Sequence, residues 1–385
     1  MSLNRNKYDF IIAGSGCAGL SLAMQLKHSS LRFSKVLIIE RLQKTENDRT
    51  WCFWSKEANS WYDAITFRKW NKFRFKSKDF TEEYELAPFQ YKMIRGIDFY
   101  SYCLKQLKDD PRFEFKLDTI IDLESEGASA KLITASTEYI GEYVFNSAII
   151  HHDKKSHHVN YVQHFKGWII DVEQDVFDET SPIFMDFSVE QHEDCRFVYV
   201  IPHSKRRALI EYTGFSPDAL KEEDYDLELT NYIHNHLKIS DFKITEVEKG
   251  VIPMAESDFV NPFGKRVINI GTAGGYSKPS TGFTFYFIQR NAQAIVAKLE
   301  QSNSELSQNA RKKRFLFYDK VLLDVMNKKD VSSSELFTSL FKRNSIRSLL
   351  SFLNEESTFT EELKIMNSVK DKNFIFSAMK KLLYK

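Results

Sequence analysis

The sequence predicts an α/β protein in which a dinucleotide-binding sheet is interleaved with antiparallel strands and followed by a helical region. Three observations carry this prediction. The first forty residues contain a strand, a glycine loop, a helix and a second strand, which is how a Rossmann-like domain begins. The middle of the chain alternates charged and aromatic residues, and the segment beyond residue 305 has helical spacing. An α/β fold with two interleaved parts and a helical C-terminal region accounts for all three.

The N-terminal segment has the order of elements that a nucleotide-binding βαβ unit requires. The apolar run YDFIIA, residues 8–13, is typical of a buried parallel strand. The loop GSGCAG follows at 14–19, and LSLAMQL at 20–26 has helical composition. A second buried strand, VLIIE at 36–40, ends on the acid Glu40.

Each glycine of the first loop has a physical reason. Gly14 permits the tight turn, Gly16 lets the backbone approach a pyrophosphate, and Gly19 allows the helix to pack closely on the strand. The carboxylate of Glu40 is placed to bond a ribose hydroxyl. The predicted cofactor-binding residues of this segment are Gly14, Ser15, Gly16, Cys17, Ala18, Gly19 and Glu40.

A second glycine cluster helps to choose between FAD and NAD, which the first loop alone does not distinguish. It follows the strand VINI at 267–270 and precedes a predicted helix at about 282–301. A late strand and helix of this kind reach the ribityl chain and the flavin ring in flavoproteins, so the cofactor predicted is FAD. The alternative is a plain strand-to-helix turn. The residues concerned are Gly271, Thr272, Ala273, Gly274 and Gly275.

The remaining segments complete the predicted organisation. A helix is predicted at 97–107, a strand at 113–121, a small β-meander at 128–150 and further strands over 160–250. We predict a discontinuous FAD-binding domain, a β-rich substrate-binding domain and a helical C-terminal region. Their bounds are 1–59 with 93–155 and 250–304, then 60–92 with 156–249, then 305–385.

Composition excludes several classes of protein. The chain has 385 residues and a net charge of +1, which gives no indication of a nucleic-acid partner. Four widely spaced cysteines form no CxxC pair, which argues against a zinc site or a disulfide framework and suits the cytoplasm. No apolar stretch approaches the length of a membrane span, and the first apolar run is expected to be a strand rather than a signal peptide.

Two carboxyl groups are candidates for acid–base chemistry. Glu211 lies in ALIEYT and Asp186 in FMDF, each a lone acid among apolar residues on a predicted strand. Burial would raise the carboxyl pKa and keep the group protonated, as a general acid requires. The alternative for both is a strand acid that faces solvent. The histidines of HHDKKSHH, at 151–158, more often mark a solvated loop than a metal site, so no metal is predicted.

Several segments together resemble the flavin-dependent lycopene cyclases of the β-cyclase type. The resemblance covers about three quarters of the chain, and the late segments are far more specific than the glycine loop. The matching segments are GSGCAGLSLA, RTWCFW at 49–54, QHFKGW at 163–168, FMDF at 184–187, FVYVIP at 197–202, LIEYT at 209–213, GVIPM at 250–254 and IGTAGGYSKPSTGFTF at 270–285.

The resemblance implies the fold of FAD monooxygenases and geranylgeranyl reductases and a redox-neutral isomerase. The enzyme would convert the ψ-ends of lycopene, or of related acyclic carotenoids, into β-ionone rings. Glu211 would be the acid, FAD would act in its reduced form, and NAD(P)H would be the reductant. Many relatives in the wider superfamily carry an acid where this chain has Thr272, and the non-acidic residue favours a cyclase over a hydroxylase.

Alternatives remain within and outside this fold. An FAD-dependent monooxygenase or a prenyl-chain reductase would consume NAD(P)H, and a non-catalytic flavin- or lipid-binding protein would bind carotenoid unchanged. The basic tail, with RKKR at 311–314 and apolar runs at 349–353 and 374–383, could form amphipathic helices on an anionic bilayer or pack on the body of the protein. We expect peripheral association with the cytoplasmic face of the membrane.

Overall fold

A computed structural model describes residues 7–33, 35–56, 60–148, 161–254, 261–301, 306, 311–328, 331–369 and 372–383. The strands are β1 Lys7–Ala13, β2 Val36–Glu40, β3 Thr50–Ser55, β4 Arg68–Trp70, β5 Lys72–Ser77, β6 Phe80–Glu85, β7 Gln90–Arg95, β8 Phe113–Leu117, β9 Ile120–Glu126, β10 Ser129–Thr134, β11 Glu138–Asn146, β12 Tyr161–Asp171, β13 Ile183–Asp186, β14 Cys195–Ser204, β15 Arg207–Ser216, β16 Lys243–Met254 and β17 Val267–Asn269. The helices are α1 Cys17–His28, α2 Gly96–Lys108, α3 Glu222–Asn235, α4 Phe285–Glu300, α5 Lys313–Met326, α6 Ser333–Arg343, α7 Ile346–Leu353, α8 Phe359–Ser368 and α9 Lys372–Leu383.

The first sheet is the predicted nucleotide-binding sheet. Its parallel strands lie in the order β8, β2, β1, β11 and β17, and β10 and β9 extend it as an antiparallel ribbon from β11. Helices α1, α2 and α4 pack with the apolar strands into one core. The carboxyl ends of β1, β2 and β17 meet at one edge, which is where ligands bind in open parallel sheets.

One predicted strand is wrong in its extent. The run 113–121 is divided into β8 and β9, which have different partners in the same sheet, β2 and β10. The amide of Asp118 donates to the carbonyl oxygen of Glu40 at 2.9 Å, directly after β8 ends. The β2 strand itself ends at Glu40, so the ladder stops there and the chain turns away.

The second sheet confirms that the two parts of the fold are interleaved. Its strand order is β16, β12, β15, β14, β13, β5 and β6, so a hairpin from residues 72–85 joins strands from 161–254. The pairing is antiparallel except between β5 and β13. A third sheet has the strand order β3, β7 and β4, and in sequence its strands lie between β2 and β8 of the first sheet. The predicted domain boundaries themselves remain a prediction.

The C-terminal helices are an integral part of the molecule. Phe341 of α6 stacks on Phe75 of β5 with 4.1 Å between the ring centroids. Leu349 and Leu350 of α7 are buried, and the indole of Trp54 donates to the carbonyl oxygen of Leu350 at 3.1 Å. Of the two alternatives for the run 349–353, the structure favours packing on the body of the protein, because Leu349 and Leu350 lie in the core.

Candidate functional site

A cavity of about 690 Å³ connects the first glycine loop with the second sheet. One end is lined by the glycine loop and Glu40, and the other by strands β12, β15 and β16. Of the residues predicted from the sequence, those that line this cavity are Gly14, Gly16, Cys17, Ala18, Glu40, Glu211, Gly271 and Thr272. The fold therefore brings the two glycine segments and one candidate acid to a single site.

The first glycine loop has the geometry that its glycines predict. Gly14 has φ +100°, a conformation that residues with a side chain rarely adopt. A Cβ on Gly19 would lie 1.9 Å from the carbonyl oxygen of Gly14, so this position accepts only glycine. A Cβ on Gly16 would have no neighbour within 4 Å, and the first turn of α1 has no side-chain cap. The loop thus leaves room and free amides for an anion at the N-terminus of α1.

Glu40 holds the same loop in place. Its Oε2 atom accepts hydrogen bonds from the amide of Ser15 at 2.8 Å and from the Ser15 hydroxyl at 3.2 Å. Ser15 itself is buried and does not line the cavity. The carboxylate therefore lies at the cavity wall beside the glycine loop. In this position it can accept a hydrogen bond from a ribose hydroxyl.

The second glycine segment closes against the first. Gly271 has φ +59°, and a Cβ there would lie 2.7 Å from the Cβ of Ala18. The residues 271–274 form a 3₁₀ turn that Gly275 ends in the left-handed conformation, with φ 77°. Gly271 and Thr272 line the cavity, whereas Ala273, Gly274 and Gly275 do not. The last three shape the turn, since a Cβ on Gly274 would lie 2.4 Å from the Asn269 carbonyl oxygen.

Glu211 lies at the opposite end of the cavity, on β15. It is only partly exposed, and Thr213 donates a hydrogen bond from its hydroxyl to the Glu211 Oε1 atom at 3.1 Å. Burial, the negative charge of Glu248 and a hydrogen bond with that residue raise the pKa of Glu211 well above its ordinary value. A raised pKa favours the protonated form of the carboxyl group, which is the form that can donate a proton to a ligand in the cavity.

Glu248 of β16 is a functional candidate that the sequence pattern did not indicate. It lines the cavity beside Glu211 and accepts a hydrogen bond from the hydroxyl of Thr50 at 2.7 Å. Burial raises its pKa, although the hydrogen bonds from Thr50 and Glu211 oppose that rise. Both acids are in register with Gly167 of β12, one on each side. The two acids could be recognised as neighbours only from the register of β15 and β16 against β12, which the sequence pattern does not give.

Comparisons with known proteins identify the family of the chain. The lycopene cyclase protein family matches residues 9–380. The chain belongs to the lycopene cyclase family. A lycopene β-cyclase of a Paracoccus species is 27% identical over 120 residues. That match spans 30% of this chain and 30% of the Paracoccus protein.

Solved structures show that this lycopene cyclase family member has the Rossmann-like flavoprotein fold. A geranylgeranyl bacteriochlorophyll reductase-like protein of Thermoplasma acidophilum has a TM-score of 0.64 at 14% identity, over 96% of this chain and 98% of that one. HpxO of Klebsiella pneumoniae, solved with FAD and uric acid, has a TM-score of 0.65 at 13% identity, over 92% and 97%. The predicted fold class is confirmed.

Asp186, the second candidate acid, does not line the cavity of this family member. It is buried, forms an ion pair with Lys76 at 2.9 Å and accepts a hydrogen bond from the Tyr232 hydroxyl at 2.8 Å. Burial raises the pKa of Asp186, but Lys76 and the hydrogen bonds from Ser188 outweigh it and hold the pKa below its ordinary value. The group is an ionised structural carboxylate, so we assign it no part in catalysis.

Aromatic side chains form part of the cavity lining. Of the tryptophans in the segments RTWCFW and QHFKGW, Trp51 lines the cavity, whereas Trp54 and Trp168 belong to buried clusters elsewhere. The other aromatic lining residues are Tyr91, Tyr100, Phe165, Tyr199, Phe283 and Phe285. Such faces suit an apolar ligand and attract a positive charge within it.

No group of His, Cys, Asp and Glu side chains that could hold a metal ion occurs within the described ranges. The histidines of HHDKKSHH lie outside the described residues. All four cysteines are free thiols. Over the same described ranges, no helix is both long and apolar enough to cross a membrane.

Proposed function

We propose that this chain is a lycopene β-cyclase, a redox-neutral isomerase that closes the ψ-ends of lycopene into β-ionone rings. The observation that carries the proposal is Glu211, a carboxyl group whose pKa is raised well above normal and which lines the cavity next to Tyr199 of the neighbouring strand. The family match and the named Paracoccus relative supply the substrate class. Protonation of an alkene requires an acid of this kind beside the substrate.

Glu211 would donate its proton to the terminal double bond of the substrate. The neighbouring double bond attacks the resulting tertiary cation and closes the ring, and loss of a ring proton gives the β end. A cation in an apolar cavity is costly unless it is compensated, and Trp51, Tyr91 and Tyr199 line the cavity that would hold it. Bound FAD in its reduced, anionic form would supply negative charge there.

We propose FAD as the cofactor because the residues at the sheet end of the cavity fit a dinucleotide. The open space at Gly16 and the free first turn of α1 suit a diphosphate, and Glu40 suits a ribose. Gly271 and Thr272 would approach the flavin part. HpxO, a neighbour in fold, was solved with FAD. NAD(P)H is the proposed reductant of the flavin, and it would not be consumed in proportion to product.

The function is tested by anaerobic incubation of the purified protein with liposomal lycopene and photoreduced FAD, without nicotinamide. We expect γ- and β-carotene to form, because protonation and loss of a proton balance within the reaction. Chromatography of the pigments measures the conversion, and oxidised FAD is the matched control, with which conversion should be lost. Product formation only when NAD(P)H is supplied and oxidised in proportion would contradict a cyclase and support a reductase or a monooxygenase.

Peripheral attachment to the cytoplasmic face of the membrane is part of the proposal, because a carotenoid hydrocarbon must be collected from lipid. Phe359, Leu363 and Met366 form one exposed stripe on α8 at helical spacing. Phe376 and Met379 are exposed on α9, at 65% and 56%. The exposed lysines at 372 and 380 flank this second pair, so α9 presents both charge and apolar surface to an anionic bilayer.

Changing Phe376 and Met379 together to serine is expected to weaken binding to anionic phospholipid vesicles roughly tenfold, since two apolar side chains no longer enter the bilayer. Co-sedimentation with vesicles of mixed anionic and neutral lipid measures the binding. The matched control is Leu227→Ser on α3, which removes an apolar side chain of similar exposure, 59%. Equal binding of the double variant and the wild type would exclude α9 as the attachment surface.

A further inference from the structure

Two acidic side chains meet across one glycine in the second sheet. Glu211 of β15 and Glu248 of β16 both pair in register with Gly167 of the strand between them. A Cβ on Gly167 would lie 3.3 Å from the Cβ of Glu211 and 3.3 Å from the Cγ of Glu248. The glycine therefore leaves open the space through which the two carboxyl groups approach each other on the cavity side of the sheet.

The hydrogen bonds around the pair distinguish its two members. Thr50 donates to Glu248 at 2.7 Å, and a hydroxyl donor at that distance favours a carboxylate. Thr213 donates to Glu211 at the longer distance of 3.1 Å. Burial raises the pKa of both carboxyl groups, but the charge of Glu248 adds to the rise at Glu211, whereas the bonds from Thr50 and Glu211 oppose the rise at Glu248. The proton of the pair accordingly belongs to Glu211.

The other titratable groups near the pair leave this assignment unchanged. Burial raises the pKa of Cys52, Tyr91 and Tyr199, so all three stay neutral at physiological pH. Arg49 and Glu246 also act on Glu248, and their charges have opposite signs. Glu246 is exposed and pairs with Arg207 at 2.8 Å, so solvent and its partner weaken its influence.

We propose that Glu211 and Glu248 form a dyad that holds a single proton, in which the carboxylate of Glu248 keeps Glu211 protonated and ready to act as the acid. Glu248 is thus a positioning residue that acts through Glu211. The part of this inference that concerns substrate rests on the proposed cyclase function. The part that concerns the proton does not, since it depends only on the two carboxyl groups.

The dyad also accounts for both proton transfers of the proposed reaction. The O–H bond of Glu211 breaks as a new C–H bond forms at the terminal alkene, which leaves two carboxylates facing one substrate cation. When the ring C–H bond breaks, its electrons form the ring double bond and its proton returns to the pair. One proton enters and one leaves, so no oxidant, reductant or solvent proton is consumed. Glu211 is a carboxylate only while the substrate cation exists, so its negative charge stabilises the cation without acting on the neutral substrate.

An infrared titration of the protein without substrate tests the dyad directly. The wild type is expected to lose one carboxyl proton well above the ordinary range of glutamate and to gain a second one only in acid. The signal at high pH should be absent from Glu211→Gln, in which Glu248 is the one carboxyl group of the pair that remains. In Glu248→Gln the remaining carboxyl should lose its proton about one pH unit lower than in wild type. Wild-type titration of the two groups at ordinary, independent values would overturn the dyad, even if the variant did not fold.

The pH profile of lycopene conversion tests whether the dyad serves the reaction. In Glu248→Gln the decline of the rate at alkaline pH should move down by about one unit, giving an approximately tenfold slower reaction above both pKa values. Glu246→Gln, the same change at an exposed position of β16, should keep the wild-type profile. An unchanged profile in Glu248→Gln would overturn the role of Glu248. Absence of conversion by the wild type would refute the cyclase function and leave the infrared result to decide the dyad.

Discussion

Replacing Glu211 by glutamine is expected to slow the conversion of lycopene by about a thousandfold, within the range that general acids contribute. Glutamine has nearly the same shape and can keep the hydrogen bond with Thr213, but its amide has no acidic proton to donate to an alkene. The wild-type rate should itself fall as pH rises through the raised pKa of Glu211, because only the protonated form is active. The residual rate of the variant should not show that decline.

The measurement is the initial rate of pigment conversion with photoreduced FAD, together with the flavin affinity and the melting temperature of each variant. Glu246→Gln serves as the matched control, since it removes a carboxylate from the neighbouring strand at an exposed position. A loss of less than about tenfold in Glu211→Gln, with flavin bound normally, would show that another group donates the proton.

The sequence was sufficient for the features that are local along the chain. The glycine loop, α1 and β2 require a fixed spacing of glycines and apolar residues, so their pattern predicted both the strand–helix–strand order and the part of the cavity around Gly14 and Glu40. Glu211 was singled out for a similar reason, as one acid among apolar neighbours. The same local pattern also suggested Asp186, because an apolar surrounding does not reveal whether a lysine such as Lys76 lies across the sheet.

Features that depend on strand register and on packing between distant segments were not predictable. Glu248 is the single buried residue within an exposed run of β16, and only the alignment of three strands brings it to Glu211. The run 113–121 looked like one strand because a turn of two residues left no clear gap in its pattern. The basic segment at 311–314 suggested a membrane surface, yet Arg311 is buried.

Arg311 belongs to a buried network that connects the C-terminal region with the cavity wall. It pairs with Asp319 of α5 at 2.6 Å and with Glu355 after α7, and Lys278 contacts the same two acids at 2.6 and 3.2 Å. Each of the four side chains is only 4% exposed. Lys278 lies in the loop that carries the cavity residues Ser277 and Thr281, and the amide of Thr281 donates to the Lys278 carbonyl oxygen at 3.2 Å.

Changing Arg311 to methionine is expected to lower the free energy of unfolding by about 3–5 kcal/mol. Methionine fills much of the same space, but two buried carboxylates then share one cation, Lys278, so one negative charge is not neutralised. Urea unfolding followed by tryptophan fluorescence measures the loss. Arg311→Lys keeps the charge but not the fork of donors, so it should recover part of the stability.

Lys313→Met is the matched control, because it removes a positive charge two residues away at an exposed position and should change stability by less than about 0.5 kcal/mol. If Arg311→Met were no less stable than this control, the network would contribute nothing, and the attachment of the C-terminal region would rest on apolar packing such as Phe341 against Phe75. The expected result instead makes the ion network the link through which the tail supports the loop at the cavity. A tail that is held this firmly can present α9 to a bilayer while its other helices remain part of the protein core.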